Sequence, residues 1–230
     1  MKIFGLQKMT LLDFPGRVAC TVFLGGCDFH CPFCHNFQLV DGSARPEMEE
    51  EDLLGFLEKR RGLLDGVAIT GGEPCLHADL PRLMGRIRAL GYAVKMDTNG
   101  AHPALLREIL AQGLAEYVAM DIKSGPANYT RVTGVKGLAL APIQESAALL
   151  MAGSTDYEFR TTVVDELHSR EDFEEIGRWI AGAKRYFLQA FTDRDTVPFG
   201  GLHAPPREKM EEYAAIVRPF VAETQIRGMD

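Results

Sequence analysis

The 230-residue sequence lacks the features that would assign it to a membrane-bound, secreted or nucleic-acid-binding class. It contains no uninterrupted apolar run of the roughly 20 residues that a transmembrane helix needs, and its first residues lack the apolar core of a signal peptide. Basic residues are not in excess, because 25 Lys and Arg stand against 32 Asp and Glu, for a net charge of -7. Binding to a phosphate backbone needs a basic face. We therefore expect a cytoplasmic protein that has neither a membrane nor a nucleic acid as its partner.

Cysteine is also scarce, and the placement of the five cysteines is informative. An odd number of cysteines without a signal peptide argues against a disulfide framework. Cys20 lies within an apolar run and Cys75 follows a glycine turn, so we expect both to be small buried side chains. The other three, Cys27, Cys31 and Cys34, fall within eight residues and have the spacing Cys-x3-Cys-x2-Cys.

No fourth cysteine accompanies this loop, and that absence indicates its chemistry. A cuboidal iron-sulfur cluster that only transfers electrons normally has a cysteine thiolate on each of its four irons. Three thiolates leave one iron open, and an open position can bind a substrate, as it does in catalytic zinc sites. The alternative is a structural zinc ion whose fourth ligand is His30 or His35. Such sites usually divide their ligands into two separated pairs, whereas all candidates here lie on one loop.

Short apolar runs alternate with amphipathic stretches, which is the pattern of repeated strand-helix units and a mainly parallel sheet. Six such strands are predicted, at residues 18–24, 67–70, 93–97, 117–122, 157–164 and 185–190. The length suits a single α/β domain. We expect the domain to span 1–230, with core units over about 17–192, an N-terminal strand and turn over 1–16, and a C-terminal helix and strand over 206–230. The segment 192–206 is rich in Gly and Pro and is expected to be mobile.

Chemistry in parallel barrels gathers at the carboxyl ends of the strands, and polar residues follow several of the predicted strands. Asn36 closes the cysteine loop after the first strand, and Gly71, Gly72 and Glu73 follow the second. Glycine lets the backbone approach a ligand closely, and a glutamate can accept a hydrogen bond from an ammonium group. The alternative for this second motif is a plain strand-to-helix turn.

Charged residues lie at or near the ends of the next three strands. Asp97 and Thr98 end the third strand, and Asp121 and Lys123 end the fourth. Because a buried charge is costly without a partner, two aspartates at adjacent strand ends suggest a shared cation. Arg160 lies within the fifth strand, and an arginine that points into a barrel needs an anion. That anion is either a ligand or a neighbouring acidic side chain.

The cysteine spacing and the Gly-Gly-Glu-Pro motif at 71–74 resemble the radical S-adenosylmethionine (SAM) superfamily. The resemblance implies an α/β fold with a partial (β/α)6 TIM-like barrel. It implies a [4Fe-4S] cluster on Cys27, Cys31 and Cys34, whose open iron is chelated by the amino and carboxylate groups of SAM. Reductive cleavage of SAM would give methionine and a 5'-deoxyadenosyl radical, with no catalytic residue beyond these cofactors. The expected SAM-binding residues are Asn36, Gly71, Gly72, Glu73, Asp97, Thr98, Asp121, Lys123 and Arg160.

Segments 12–17, 31–36 and 97–100 resemble the activating enzymes of glycyl radical enzymes. Within that group the sequence most resembles the activating proteins of anaerobic (class III) ribonucleoside-triphosphate reductases, notably at 157–164. The resemblance to pyruvate formate-lyase activating enzyme implies a monovalent cation at Asp97, Thr98 and Asp121. The implied partner is a glycyl radical enzyme, which we expect to contact residues 13–17 and 192–206. Residues 37–66 lack cysteines for a second cluster, so a flavodoxin or ferredoxin would supply the electron.

Two other classes of function stay open on the sequence. One is a radical SAM enzyme that acts on a small molecule, such as a 7-carboxy-7-deazaguanine synthase. The other is a non-enzymatic interaction module built around zinc. Metal analysis separates the zinc module from the enzymes, and the width of the barrel mouth bears on whether the substrate is a protein loop or a metabolite.

Overall fold

A computed structural model describes residues 1–229 as a mainly parallel β-sheet with helices in the connections between its strands. Its strands are β1 (Lys2–Ile3), β2 (Gly5–Thr10), β3 (Ala19–Leu24), β4 (Met48–Glu49), β5 (Gly66–Gly71), β6 (Ala93–Thr98), β7 (Tyr117–Asp121), β8 (Asp156–Val163), β9 (Arg185–Ala190) and β10 (Glu223–Arg227). Its α-helices are α1 (Phe37–Val40), α2 (Glu50–Glu58), α3 (Leu80–Ala89), α4 (Pro103–Ala111), α5 (Tyr129–Thr133), α6 (Ala141–Ala152), α7 (Arg170–Trp179) and α8 (Arg207–Val217).

The main sheet has the strand order β10-β9-β8-β7-β6-β5-β3-β2, while β1 and β4 form a small antiparallel ladder. Neighbouring strands from β3 to β10 are parallel, and β2 is antiparallel to β3. The α/β fold with a parallel sheet is therefore as predicted. The six predicted strands correspond to β3 and β5 to β9, with bounds that agree to within one residue. Within residues 1–229 no ladder joins β2 to β10, so hydrogen bonds do not close the barrel between these edges.

Helices pack on one face of the sheet because their apolar residues recur at helical spacing. In α3 the buried residues include Leu80, Leu83, Met84 and Ile87, which share one face of the helix. Strand residues alternate between two faces. In β6, Val94 and Met96 belong to the core that the helices share. The alternate positions of each strand face inward.

The amino end of the barrel is closed by a small apolar cluster, which we call the floor cluster and which consists of Phe14, Ala19, Ala93 and Tyr117. Phe14 is only 2% exposed, and its ring lies 6.4 Å from that of Tyr117. Ala19, Ala93 and Tyr117 are the first residues of their strands. The segment 13–17 was expected to contact a partner at the barrel mouth. Phe14 lies at the amino ends of the strands, whereas its neighbour Asp13 lines the cavity described below. Contact of this segment with a partner stays a prediction.

The segment 192–206 has neither helix nor strand. At its start, the Thr192 carbonyl lies 2.6 Å from Nε2 of His35, in the cysteine loop. Towards its end, Glu166 Oε1 lies 2.6 Å from Nδ1 of His203. The predicted mobility of the segment stays a prediction. No helix of the described residues is both long and apolar enough to cross a membrane.

Candidate active site

A cavity of about 280 Å³ lies at the carboxyl ends of β3 and β5 to β8. The sequence analysis singled out twelve site residues from separate parts of the chain, and the structure brings all of them to the lining of this cavity. They are Cys27, Cys31, Cys34, Asn36, Gly71, Gly72, Glu73, Asp97, Thr98, Asp121, Lys123 and Arg160. Their shared position follows from the parallel sheet, since loops after successive parallel strands meet at one edge.

The cysteine loop is anchored by apolar side chains that alternate with its thiols. Phe29 and Phe33 are 2% and 4% exposed and belong to the main core. All five cysteines are free thiols. Burial raises the pKa of Cys27 to about 12 and that of Cys31 to about 11. Iron must therefore displace protons when it binds here, as is usual for thiolate ligands.

The donor set fits a cuboidal cluster with an open iron, because three free thiols on one loop line one cavity. In the part of the chain that the structure describes, no three His, Cys, Asp or Glu side chains converge on a single metal ion. A cluster does not require such convergence, since each cysteine binds a different iron. The alternative zinc ligand His35 is engaged elsewhere. Its ring stacks on Phe191 with centroids 5.5 Å apart, and its Nε2 meets the Thr192 carbonyl.

Cys20 and Cys75 are confirmed as small buried side chains. They are 0% and 4% exposed and lie in the main apolar core. Burial raises the pKa of Cys20 to about 12. Neither environment favours a thiolate.

The glycines after β5 are required by a close approach between two segments of the protein. The Gly72 amide donates to the Leu24 carbonyl at 2.9 Å, and the Glu73 amide donates to the Gly26 carbonyl at 2.8 Å. Gly71 has φ of +123°, and a Cβ there would overlap the Leu24 backbone. A Cβ on Gly72 would overlap the Gly26 carbonyl. The turn therefore holds the cysteine loop in place, whatever ligand it also approaches.

Glu73 lines the cavity and also accepts hydrogen bonds from three donors of the protein. It is 1% exposed, and its carboxylate accepts from the Cys75 amide at 2.9 Å, the Thr98 hydroxyl at 2.8 Å and the Asn99 amide at 2.6 Å. Burial raises its pKa to about 7, although these donors act in the opposite direction. These three donors leave about one acceptor position of the carboxylate, and the contact of Glu73 with the ammonium group of SAM stays a prediction. Glu73 also joins the β5 turn to the end of β6.

Two asparagines complete the connections between the three loops. Asn36 donates through Nδ2 to the Gly71 carbonyl at 3.1 Å. Asn99 donates through Nδ2 to Asp28 at 2.8 Å, next to Cys27. The sequence analysis assigned no site role to Asn99 or Asp28. An Asn-Gly pair after a strand reads locally as a turn, and only the fold places Asn99 against the cysteine loop.

Five charged side chains form a chain of ion pairs across the ends of β6, β7 and β8, which we call the charge network. Its members in order are Lys95, Asp97, Arg160, Asp121 and Lys123. Arg160 contacts Asp97 at 3.0 Å and also pairs with Asp121. Lys123 contacts Asp121 at 2.8 Å, and Lys95 pairs with Asp97. Each carboxylate thus has a cationic partner on both oxygens.

The charge network remains ionised because its members hold one another in the charged state. Burial alone would raise the pKa of Asp97 and Asp121, but the Arg160 guanidinium outweighs it and holds both below the usual range. Burial would lower the pKa of Lys123, and Asp121 raises it instead. Three cations and two anions leave one net positive charge, which is complementary to a single carboxylate. Arg160 thus places a cation of the protein between the two aspartates, where a shared cation was predicted.

Lys95 and His168 contact residues of the cavity lining, and neither was predicted from the sequence to have a role in the site. Strict alternation along β6 places Lys95 on the same face as Asp97, so a signal for it existed. His168 lies 2.9 Å through Nε2 from the Lys123 carbonyl, and Tyr129 accepts the Lys123 amide at 3.2 Å. These contacts fix the backbone of Lys123. They depend on loops that meet only in the fold.

Comparison with known proteins agrees with this geometry. A family model described as "Radical SAM superfamily" matches residues 21–180. A protein of Methanocaldococcus jannaschii, assigned only provisionally as a glycyl-radical enzyme activating enzyme, is 29% identical over 240 residues, which cover 99% of this chain and 96% of that protein. A 7-carboxy-7-deazaguanine synthase of Halobacterium salinarum is 33% identical over 216 residues, which cover 89% of this chain and 80% of that one.

A solved structure extends the comparison to the fold. The radical SAM methyltransferase from Sphaerobacter thermophilus superposes with a TM-score of 0.72. The match covers 95% of this chain and 68% of that chain at 14% sequence identity. At that identity the likeness concerns the fold alone.

Proposed function

Because this chain belongs to the radical SAM superfamily, we propose that it is the activating enzyme of a glycyl radical enzyme. The observation that carries the proposal is the similarity to the Methanocaldococcus jannaschii protein over 99% of this chain. With a cluster and SAM bound, one electron would reduce SAM and break a carbon-sulfur bond, which would give methionine and a 5'-deoxyadenosyl radical able to take a hydrogen atom from a glycine of the partner. The products are 5'-deoxyadenosine and a glycyl radical.

The residues of the cavity take different parts in this reaction. Cys27, Cys31 and Cys34 hold the cluster, and the charge network binds the carboxylate of SAM through its one net positive charge. The Gly71 and Gly72 turn, fastened by Glu73, sets the distance between the cluster loop and the SAM site. No side chain is given a proton-transfer role, since the chemistry belongs to the cofactors.

The size of the cavity supports a glycine as the target. At about 280 Å³ the cavity lies just below the range for small-ligand sites, roughly 300 to 1,000 Å³. A cluster and SAM must share this volume, so in this proposal the second substrate reaches the radical at the opening. A glycine at the tip of a protein loop suits that position because it has no side chain to block approach.

We further propose that the partner is an anaerobic (class III) ribonucleoside-triphosphate reductase, on the basis of the resemblance at 157–164. Residues 37–66 contain α1, β4 and α2 and no cysteine. A second cluster has no ligands there, so a flavodoxin or ferredoxin supplies the electron. Free thiols and a reduced donor both suit the cytoplasm.

The test mixes the reduced, reconstituted protein with SAM and each glycyl radical enzyme encoded in the same genome. Electron paramagnetic resonance should detect the doublet of a glycyl radical in one partner, and 5'-deoxyadenosine should form in equal amount. Cys31→Ser protein is the matched control and should give neither signal. Silence from every encoded glycyl radical enzyme, with an active cluster and bound SAM, would overturn the proposal.

A second candidate function is that of a 7-carboxy-7-deazaguanine synthase. The observation in its favour is the 33% identity to the Halobacterium salinarum enzyme over 89% of this chain. The same reduced protein should then cleave SAM productively with the small-molecule substrate of those synthases. That result, combined with no glycyl radical, would move the assignment to this candidate.

A further inference from the structure

The charge network contains more positive charge than its two carboxylates need. Arg160 and Lys123 would by themselves balance Asp97 and Asp121, yet Lys95 adds a third cation. We propose, on the basis of the SAM binding proposed above, that Lys95 takes the place of a soluble monovalent cation beside the SAM carboxylate. SAM binding by this protein is then independent of the cation in the buffer.

Lys95 is built into the inner face of the barrel rather than folded in from the surface. It lies in the middle of β6 and is 3% exposed. Its register partners are Ala68 on β5 and Tyr117 on β7. The small side chain of Ala68 leaves space on one side for the lysine stem. Its ammonium therefore reaches Asp97 along the strand axis, since residues two apart on a strand share a face.

Every carboxylate oxygen of the charge network already pairs with a cationic side chain. One oxygen of Asp97 meets Lys95 and the other meets Arg160. One oxygen of Asp121 meets Arg160 and the other meets Lys123. Every anionic ligand that the predicted cation needed is thus already neutralised.

The hydroxyl of Thr98, the third residue of the predicted cation site, is also engaged. It donates to Glu73 at 2.8 Å and accepts from the Gly100 amide at 3.1 Å. One lone pair of the hydroxyl remains, which offers a cation a single neutral ligand and no negative charge. The residues therefore do not fit a bound cation, whereas they do fit a carboxylate.

The balance of charge leads to the same conclusion. The network carries one net positive charge, which the carboxylate of SAM would balance, while the ammonium and sulfonium groups of SAM add positive charge nearby. An added monovalent ion would leave a surplus charge in a largely buried site, where like charges repel strongly. Removing the charge of Lys95 would favour binding of a soluble cation, because one oxygen of Asp97 would lose its partner and could bind that ion.

The experiment measures SAM affinity of the cluster-loaded protein by calorimetry, under anaerobic conditions and with SAM alone. Tetramethylammonium chloride, whose cation is too large for the site, is compared with potassium chloride at the same ionic strength. The parent protein should bind SAM equally in both salts. Lys95→Met should lose roughly tenfold or more in affinity in tetramethylammonium, and potassium should restore most of it.

Lys59→Met is the matched control, since Lys59 is exposed at the end of α2. It should behave as the parent in both salts. A parent affinity that rises several-fold with potassium would overturn the proposal, and this measurement needs no variant. Equal SAM binding by Lys95→Met and the parent in both salts would overturn it as well.

A second readout does not depend on the cluster. Thermal unfolding of the cluster-free Lys95→Met protein should shift upward with potassium relative to tetramethylammonium, while the parent should show no difference between these salts. An equal shift of the unfolding temperature with potassium in the two proteins would contradict the proposal that Lys95 takes the place of a soluble cation. Because no partner protein is present in either measurement, failure of the glycyl radical assay leaves both results standing.

Discussion

The two ends of the parallel strands are built by different means. The floor cluster closes the amino end with apolar side chains, and Phe14 fills the space between the first residues of three strands. The mouth at the carboxyl end is held by hydrogen bonds and ion pairs, such as those of Glu73 and Arg160. Apolar packing depends mainly on volume and shape. Polar contacts depend on the identity of each group. We therefore expect substitutions in the floor cluster to lower the stability of the domain, and substitutions at the mouth to remove a specific contact or ligand.

The clearest contrast should come from the cysteines of the mouth. Replacing Cys27, Cys31 or Cys34 by Ser should abolish iron binding after anaerobic reconstitution, because each thiolate holds a separate iron. Far-UV circular dichroism should stay unchanged, since the floor cluster is untouched. Replacing Cys20 or Cys75, both in the apolar core, should leave about four irons per chain. Iron and sulfide analysis checks this, and stoichiometric zinc in the reconstituted parent would contradict it.

At the floor, Phe14→Ala should destabilise the whole domain without a specific loss at the mouth. Phe14 is 2% exposed, and truncating a buried phenylalanine typically costs about 3 to 5 kcal/mol. Urea unfolding of the cluster-free protein measures the loss. Phe199→Ala is the control, because Phe199 is 57% exposed and should change stability by less than about 0.5 kcal/mol. If Phe14→Ala stayed folded but bound no cluster, the separation between the two ends would not hold.

The features predicted most accurately from the sequence are those that depend on neighbouring residues. Six strands agree with the structure to within one residue, because apolar runs and turn residues are read from neighbouring positions. The placement of the site residues around one cavity followed from a general property of parallel barrels. The packing of Phe14 at the amino ends of the strands was not predicted, because its partners Ala93 and Tyr117 are distant in sequence and are brought together only by the sheet.

Contacts between residues distant in sequence also explain why some side chains at the mouth have partners that the sequence did not predict. A glutamate after two glycines offers an acceptor, but nothing local reveals that Thr98 and Asn99 will saturate it. Two aspartates at adjacent strand ends predicted a shared cation. Whether that cation is a metal ion or Arg160 depends on the register between β7 and β8, where Asp121 lies opposite Arg160.

The third prediction concerns a position at the mouth where the available space, rather than a polar contact, limits which residue can be placed. Gly72→Ala places a Cβ against the Gly26 carbonyl, which is backbone and cannot move aside. We expect a loss of about 3 kcal/mol, at the upper end for overpacking, together with reduced cluster occupancy because Gly26 precedes Cys27. Gly55→Ala is the matched control. A Cβ on Gly55 in α2 would meet open space, and alanine should stabilise this helix by up to about 1 kcal/mol.

Both Gly72→Ala and Gly55→Ala are measured by urea unfolding, and iron analysis follows cluster occupancy. Equal free energies of unfolding of the two variants would mean that the Gly26 backbone can shift to accommodate a Cβ at little cost. Glycine in this turn would then be required by a ligand rather than by the close contact with the cysteine loop.

A pH series on Glu73 separates buried charge from apolar packing. Burial raises the pKa of Glu73 to about 7 in the folded protein, whereas an unfolded glutamate titrates near 4.3. Between these values the folded state holds a proton that the unfolded state has lost, so stability falls as the pH rises through this interval. The fall is up to about 3 kcal/mol and ends above the folded pKa. Glu73→Gln should remove this slope, and Phe14→Ala should keep it. Urea unfolding at several pH values would count against the assignment if both variants retained the slope.

The smallest effect is expected where the segment 192–206 is attached near the mouth by one exposed ion pair. Glu166 accepts from His203 and raises the pKa of this histidine. The pair therefore stabilises the attachment fully below the ordinary histidine pKa of about 6.5, and the contribution is lost as the pH rises through the raised value. Glu166→Gln should lower the His203 pKa in an NMR titration, while Asp195→Asn, at an exposed position of the same segment, should not. Because the pair is exposed, global stability should hardly change in either variant. An unchanged His203 pKa in Glu166→Gln would show that this attachment carries no electrostatic contribution, unlike the buried pairs of the charge network.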